Sequence, residues 1–483
     1  MRLTRTIFAL AVAAAIVLPQ PADAQVKTGD EQRCTGAAGV TAEAQIAACT
    51  ALIDSRKFSK QNLAILHSNR GVAYGKAGDY DRAIADFDEA LKINPAHVRA
   101  FINRGNAHFA RHNYDAAIAD FNQAIRLEPK NVQNLISRAT AYEAKDDLKS
   151  AIADYDAALK LDPTSTAALN SRGIALRRSG NLDRAIADFD QAIKLNGKDV
   201  AAYNNRALAY ANRRDLDRAA ADYEQALKID PSSALTYLNL GQFWQARKND
   251  DRALADLNQA VKLAPNNAAA LNARGLTFAA QGEFDKALLD FDNAIRIEPN
   301  NANTYDNRAN VWRDRGRFDR SIQDYDQAIA LSPGFAFAYY NRAQAHYLAG
   351  RFNEALADAG QAAAYNQNSA QALSLRGLIL EKLGNRDAAI ADLKRAAALD
   401  PSWAQATDAL ARLAADLPPK PVPPSRPAAS APPNPTSPLA APSAACLEWS
   451  DGCRTCQRAA SGEIACSTVG IACAKKEALC TRR

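Results

Sequence analysis

Eight cysteines, five histidines and a recurring arginine–aspartate pairing are the residues of this 483-residue sequence whose types and spacing could do chemistry. The cysteines are Cys34, Cys49, Cys446, Cys453, Cys456, Cys466, Cys473 and Cys480, so the long middle of the chain has none. Cys453 and Cys456 have the C-x-x-C spacing used for zinc or redox work. A zinc ribbon needs a second such pair, and the remaining gaps of six, nine, six and six residues supply none. Structural disulfides are therefore expected, Cys34 with Cys49 and the other six among themselves, in a connectivity the spacing leaves open. His108 and His112 are four apart, the spacing of a metal pair on one helix, but no carboxylate of matching geometry accompanies them. An aspartate recurs every 34 residues from Asp86 to Asp392, in ten places. An unpaired carboxylate column would suit calcium or acid–base chemistry. Here an arginine column runs in step with it, from Arg70 to Arg376, in nine of the ten places, with Leu240 as the exception. Guanidinium and carboxylate pair through two parallel hydrogen bonds. Arg70 with Asp86, and Arg206 with Asp222 or Asp188, thus read as structural ion pairs. There is no Gly-rich phosphate loop, nucleophile elbow or His-Glu-x-x-His segment. Neither an enzyme, a cofactor nor a metal is expected.

The elements that position these residues follow from composition and period. Hydrophobic residues make up 48% and charged residues 23%, a globular balance. The net charge of +6 is too small over this length to call for nucleic acid. No apolar run reaches the roughly 18 residues of a membrane-spanning helix. Prolines fall at 95, 129, 163, 231, 265, 299, 333 and 401, all separated by 34 residues or a multiple of it. Ten units without insertions follow, from 64–97 to 370–403. In the first, an apolar-spaced segment of about 64–77 stops at Gly78, and a second runs from Asp79 to about Ile93 before Pro95. A glycine stop and a proline bar delimit two helices, which makes each unit an antiparallel helical hairpin. Position eight of the unit is always Gly or Ala, from Gly71 to Gly377, and position twenty-seven is always Ala. Glycine inside a helix costs about 1 kcal/mol, so close approach of the partner helix must offset it. Aromatic residues dominate positions eleven and twenty-four, among them Tyr74, Trp244, Phe87 and Tyr155, while His108 and His346 replace the position-eleven ring.

This pattern resembles the tetratricopeptide repeat family, in units such as Asn69-Arg70-Gly71 leading to Tyr74 that look like those of exported bacterial proteins. The resemblance implies an all-α fold, a right-handed solenoid of ten 34-residue helix–turn–helix units. It departs at position seven, where the family's usual leucine is arginine in nine units. It also implies that positions two, five, six, nine, twelve and thirteen line a concave binding face. Asn69, Asn103, Asn205, Asn239, Asn307 and Asn341 occupy position six, where an amide can both donate to and accept from an extended peptide backbone. Arg177 adds a basic spot, with Arg178 beside it, and Phe337, Tyr340 and Tyr347 add an aromatic one. The family's carboxylate clamp uses lysine at position five; no unit has it here, so a chaperone-tail ligand is not expected.

The ends complete the plan. Arg2, Arg5, an apolar stretch from Ile7 to Leu18 and Ala22-Asp23-Ala24 read as a signal peptide over 1–24. Residues 25–63 form an N-terminal capping segment with Cys34, Cys49 and a helix started by Thr41. Ser402 is expected to cap a last helix over 404–417, with Trp403, Ala406, Leu410 and Leu413 on repeat ten and Arg412 in water. Residues 418–443 are a proline-rich spacer, and 444–483 a small six-cysteine tail. The resulting expectation is an exported, non-enzymatic scaffold, periplasmic or extracellular, that binds a protein or peptide on its concave face in the cell envelope. The alternative is an envelope-attachment protein whose tail binds a wall or surface component, with the repeats as spacer.

Overall fold

The computed structural model describes residues 29–414 and four strands in the tail. The signal segment 1–24, the spacer 418–443, Cys446, Cys453 and Cys473 lie outside the described residues. The chain divides into two compact units, 1–231 and 232–483.

The first unit opens with α1 (Gly29–Cys34) and α2 (Ala42–Asp54). Five hairpins follow: α3 (Lys60–Lys76) with α4 (Tyr80–Ile93), α5 (Val98–Ala110) with α6 (Tyr114–Leu127), α7 (Val132–Ala144) with α8 (Leu148–Leu161), α9 (Thr166–Arg178) with α10 (Leu182–Leu195), and α11 (Val200–Asn212) with α12 (Leu216–Ile229). The Thr41 hydroxyl accepts from the Ala44 amide and starts α2. Helix α3 begins four residues before the expected place, because Ser59 caps it by accepting from the Asn62 amide. Cys34 and Cys49 are joined as a disulfide, their Cα atoms 4.8 Å apart, and both are buried against Leu66.

The second unit holds α13 (Ala234–Gln245) with α14 (Asp250–Leu263), α15 (Ala268–Ala280) with α16 (Phe284–Ile297), α17 (Ala302–Asp314) with α18 (Phe318–Leu331), α19 (Ala336–Leu348) with α20 (Phe352–Tyr365), α21 (Ala370–Lys382) with α22 (Arg386–Leu399), and α23 (Ala404–Ala414). Ser402 does not cap α23: its hydroxyl donates to Asp400 in the preceding turn. Arg412 is not in water either. It is buried, and its guanidinium pairs with Glu381 of α21, so the last helix is held by an ion pair as well as by Ala406, Ala409 and Leu413. In the tail β1 (Glu448–Ser450), β2 (Thr455–Arg458), β3 (Ile464–Cys466) and β4 (Leu479–Arg482) form an antiparallel sheet in the order β3-β2-β1-β4.

Each hairpin is packed by the small residues the period marks. An added Cβ on Gly173 would lie 2.5 Å from the Phe189 ring, and one on Gly241 2.6 Å from Leu257. Where the facing residue is tyrosine, at Tyr155, Tyr223 and Tyr325, position eight is alanine. The turn between the helices takes a left-handed residue at position fifteen in every repeat. Six are glycines such as Gly78, and His112, Asp146, Arg214 and Lys248 fill the others at φ of 58–67°. First helices of neighbouring repeats also contact one another, as α9 does α11 and α17 does α19.

Candidate functional site

The arginine–aspartate columns meet. In all nine repeats that have both residues, Nε and Nη2 of the arginine donate to the two oxygens of the aspartate sixteen residues on, at 2.6–2.9 Å. Arg70 thus holds Asp86, and Arg206 holds Asp222 rather than Asp188. In seven of the nine the remaining Nη1 reaches back one repeat, as Arg206 does to Asp190 at 2.6 Å. Hydrogen bonding to Asp222 raises the Arg206 guanidinium above its ordinary pKa against the opposing effect of burial. The ladder ties second helix to first and repeat to repeat. Repeat six lacks it: Leu240 stands for the arginine, and burial pushes the Asp256 carboxyl up to about 6.

The expected binding residues fall into three groups. The side-chain amides of Asn69, Asn103, Asn205 and Asn239 have no partner among the described residues and are half-buried on the first helices. The amides of Asn307 and Asn341 are already engaged. Asn307 donates to Asn272 at 3.0 Å, and Asn341 to Asp306 at 3.0 and 3.3 Å, each across one repeat. These bonds commit the amide nitrogens to holding repeats together, which corrects the reading of a fully open two-ended amide there. Burial raises the Asp306 carboxyl, against the donors Asn341 and Asn310. The aromatic trio also separates. Phe337 is 68% exposed, whereas Tyr340 and Tyr347 pack on one core cluster with Leu375 and Ile379. Tyr340 accepts a hydrogen bond from Gln344 at 2.8 Å, and Tyr347 meets Phe352 edge-on.

Arg177 is the outlying case. Its Nε is fully buried without a partner, and no hydrogen bond or ion pair to its guanidinium occurs among the described residues. Burial lowers its pKa. Its neighbour Arg178 is bound to Glu143 at 2.9 Å and Asp146 at 2.6 Å. The equivalent arginine of repeat eight, Arg313, is satisfied by Gln344 and Asp314.

Tetratricopeptide repeat models match residues 69–132, 102–166, 136–195 and 170–234, and further repeat models match 268–301, 309–350 and 370–403, together more than half of the chain. The chain belongs to the tetratricopeptide repeat family. Similar solved structures include a tetratricopeptide repeat protein from Parabacteroides merdae, 22% identical, covering 51% of this chain and 97% of that one at a TM-score of 0.46. YrrB, described as a tetratricopeptide protein with an unusual peptide-binding site, is 24% identical over 40% of this chain and 96% of its own, at 0.34. Yeast Tom70 is 18% identical over 77% of this chain and 92% of its own, at 0.43. No curated protein matches.

Tetratricopeptide proteins are typically non-enzymatic scaffolds that bind proteins or peptides. The remaining chemistry-bearing residues of this tetratricopeptide chain are placed as follows. His112 does not share a helix with His108. It sits past the end of α5 in the left-handed turn, and its Nδ1 is 3.1 Å from the Tyr114 hydroxyl. No group of three or more metal-ligating side chains occurs among the described residues, and no described helix is long and apolar enough to cross a membrane. His67 and His346 lie against the ladder carboxylates Asp86 and Asp358, at 3.1 and 3.8 Å. Tyr339 and Tyr365 stack at 5.5 Å with Tyr365 exposed, a pair the sequence reading missed. In the tail, backbone register sets Cys456 opposite Cys466 and Trp449 opposite Cys480.

Proposed function

We propose that this tetratricopeptide chain is an exported, non-enzymatic scaffold that binds a protein or peptide partner on the surface of its first helices, in the cell envelope. The observation that carries the reading is Arg177. An unpaired, half-buried guanidinium loses hydration without gaining a partner, a cost that a carbonyl or carboxylate of a ligand offsets. The open amides of Asn69, Asn103 and Asn205 supply backbone contacts on first helices of the same unit, and in the second unit Phe337 supplies an exposed aromatic anchor of its own. The joined Cys34–Cys49 pair supports export, since disulfides persist in oxidising compartments. The test is crosslinking capture from envelope extract with the full chain, comparing wild type, Arg177→Gln, Phe337→Ala and a chain lacking 418–483. Loss of capture by about tenfold or more in the two substitutions, a typical hot-spot effect, with capture retained after the deletion, is the expected result. Capture that survives both substitutions and disappears with 418–483 makes the tail the recognition element and the repeats its spacer.

A further inference from the structure

Nine rungs of the ladder describe what the tenth lacks. In each intact rung the arginine presents two parallel N–H groups to one aspartate, and in six of the nine its planar group also lies beside an aromatic ring of its own first helix. Arg104 is 5.6 Å from the centre of the Phe101 ring, Arg308 is 5.7 Å from Tyr305, and Arg342 is 5.6 Å from Tyr339, all rings at position four. The ring at position eleven forms a second wall, with Arg274 at 5.7 Å from Phe278. In repeat five both walls serve one guanidinium: Arg206 is 5.4 Å from Tyr203 and 5.9 Å from Tyr210.

Repeat six keeps both walls and the carboxylate. Tyr237 holds position four on α13, Trp244 holds position eleven, and Asp256 holds its place on α14. Only the cation is missing. Leu240 is buried at the base, and its side chain ends at the Cδ atoms, where an arginine would go on to its guanidinium. Eight of the other nine ladder aspartates are buried under their arginines; Asp256 is partly exposed and makes no hydrogen bond or ion pair among the described residues. Arg252, one turn earlier on α14, does not fill the gap. It lies 4.7 Å from the centre of the Trp244 ring, as Arg218 lies 5.7 Å from Tyr210 in repeat five, where Arg206 occupies the rung as well.

We propose that repeat six is a socket for a guanidinium supplied from outside, the arginine side chain of a protein or peptide partner, which completes the missing rung in trans. Two observations select guanidinium over a simple ammonium. The carboxylate stands where nine equivalents each take a two-pronged donor, and the aromatic walls suit a flat cation that can stack. Burial also pushes the Asp256 carboxyl up to about 6, against the attraction of Arg252, so at neutral pH the site carries a negative charge with no hydrogen-bonded partner among the described residues. The socket lies between first and second helix, in the line of rungs, and is independent of the first-helix surface proposed above for the main partner. It is a second anchoring point, selective for basic segments.

The full chain, with 13C-labelled aspartate and observed through the Asp256 carboxyl and the Trp244 indole N–H, tests this directly. The probes are the peptides acetyl-Gly-Arg-Gly-amide, its citrulline counterpart and its lysine counterpart. The expected result is a saturable shift of both signals with the arginine peptide, and binding at least about tenfold weaker with citrulline and clearly weaker with lysine. Leu240→Arg fills the socket from within and should abolish the response, Asp256→Asn should do the same, and Leu240→Met should retain it. No saturable shift in the wild type, equal binding of citrulline, or an undiminished response in both Leu240→Arg and Asp256→Asn overturns the socket. Equal binding of lysine overturns its assignment to guanidinium.

Discussion

Replacing Arg206 by alanine removes one complete rung, and the structure sets the size of the effect. Arg206 gives Asp222 two hydrogen bonds, at 2.8 and 2.7 Å, and Asp190 a third, at 2.6 Å. The two carboxylates differ in environment: the Asp222 side chain is 9% exposed and that of Asp190 is 51% exposed. Leaving a buried charge without its partner costs about 3–5 kcal/mol. An exposed pair contributes about 1 kcal/mol or less. The rung to Asp222 therefore dominates, and Arg206→Ala should destabilise the surrounding repeats by about 3–5 kcal/mol. Asp222→Asn in the Arg206→Ala background should recover part of that loss, because the orphaned charge is gone. Repeat arrays unfold by neighbouring units, so amide exchange over α11 and α12 is a better assay than a global melt. Protection there should fall by about a hundredfold or more, as 1.4 kcal/mol is a factor of ten. A loss below about 1 kcal/mol, or no recovery in the double variant, would refute the claim that the ladder is a buried structural element.

Four further outcomes follow from packing, backbone and charge. Gly173→Ala should cost up to about 2 kcal/mol in denaturant titration, the overpacking of about 1–3 kcal/mol against Phe189 less a helix-propensity gain of about 1 kcal/mol. Gly360→Ala, where an added Cβ meets nothing within 4 Å on α20, should instead stabilise by up to about 1 kcal/mol. Lys248→Gly should stabilise by roughly 0.5–1 kcal/mol in the same assay, since Lys248 holds a left-handed conformation at φ 58° that glycine takes without strain. The raised carboxyl of Asp256, opposed by Arg252, makes wild-type stability fall as pH rises from about 4 through about 6. The folded chain holds that proton more tightly than the unfolded chain. With solvent screening of a partly exposed group, the loss is about 1 kcal/mol. Asp256→Asn should remove this component and be the more stable chain at pH 7, but not at pH 4. Equal pH profiles would show that Asp256 titrates normally.

The repeat architecture was legible because its causes recur in the sequence. Proline and left-handed turn positions delimit the helices, and Gly173 facing Phe189 or Ala207 facing Tyr223 shows where they touch. The ion-pair ladder was legible for the same reason, since two columns sixteen residues apart share one geometry. What escaped the reading depends on single side chains crossing between repeats. Position six marks Asn307 and Asn341 as surface amides, yet their bonds to Asn272 and Asp306 depend on what the neighbouring repeat has at position five. Arg177 and Arg313 share position twelve, but Gln344 reaches only Arg313. Arg412 lies on the polar side of α23 by its spacing, and the half-buried Glu381 of α21 draws it inward. Asp256 could have been found from sequence alone, because Leu240 is the one interruption of the arginine column.

The central claim is that partners engage the first helices of the repeats. Site-specific photo-crosslinking in living cells tests it most directly, with the crosslinking residue placed in turn at Phe337 on first helix α19 and at Leu289 on second helix α16. The two side chains are 68% and 62% exposed, so access to bulk protein is nearly equal. The account predicts a discrete crosslinked partner from position 337 and none from position 289. Crosslinking from 289 alone, or equal crosslinking from both, contradicts it.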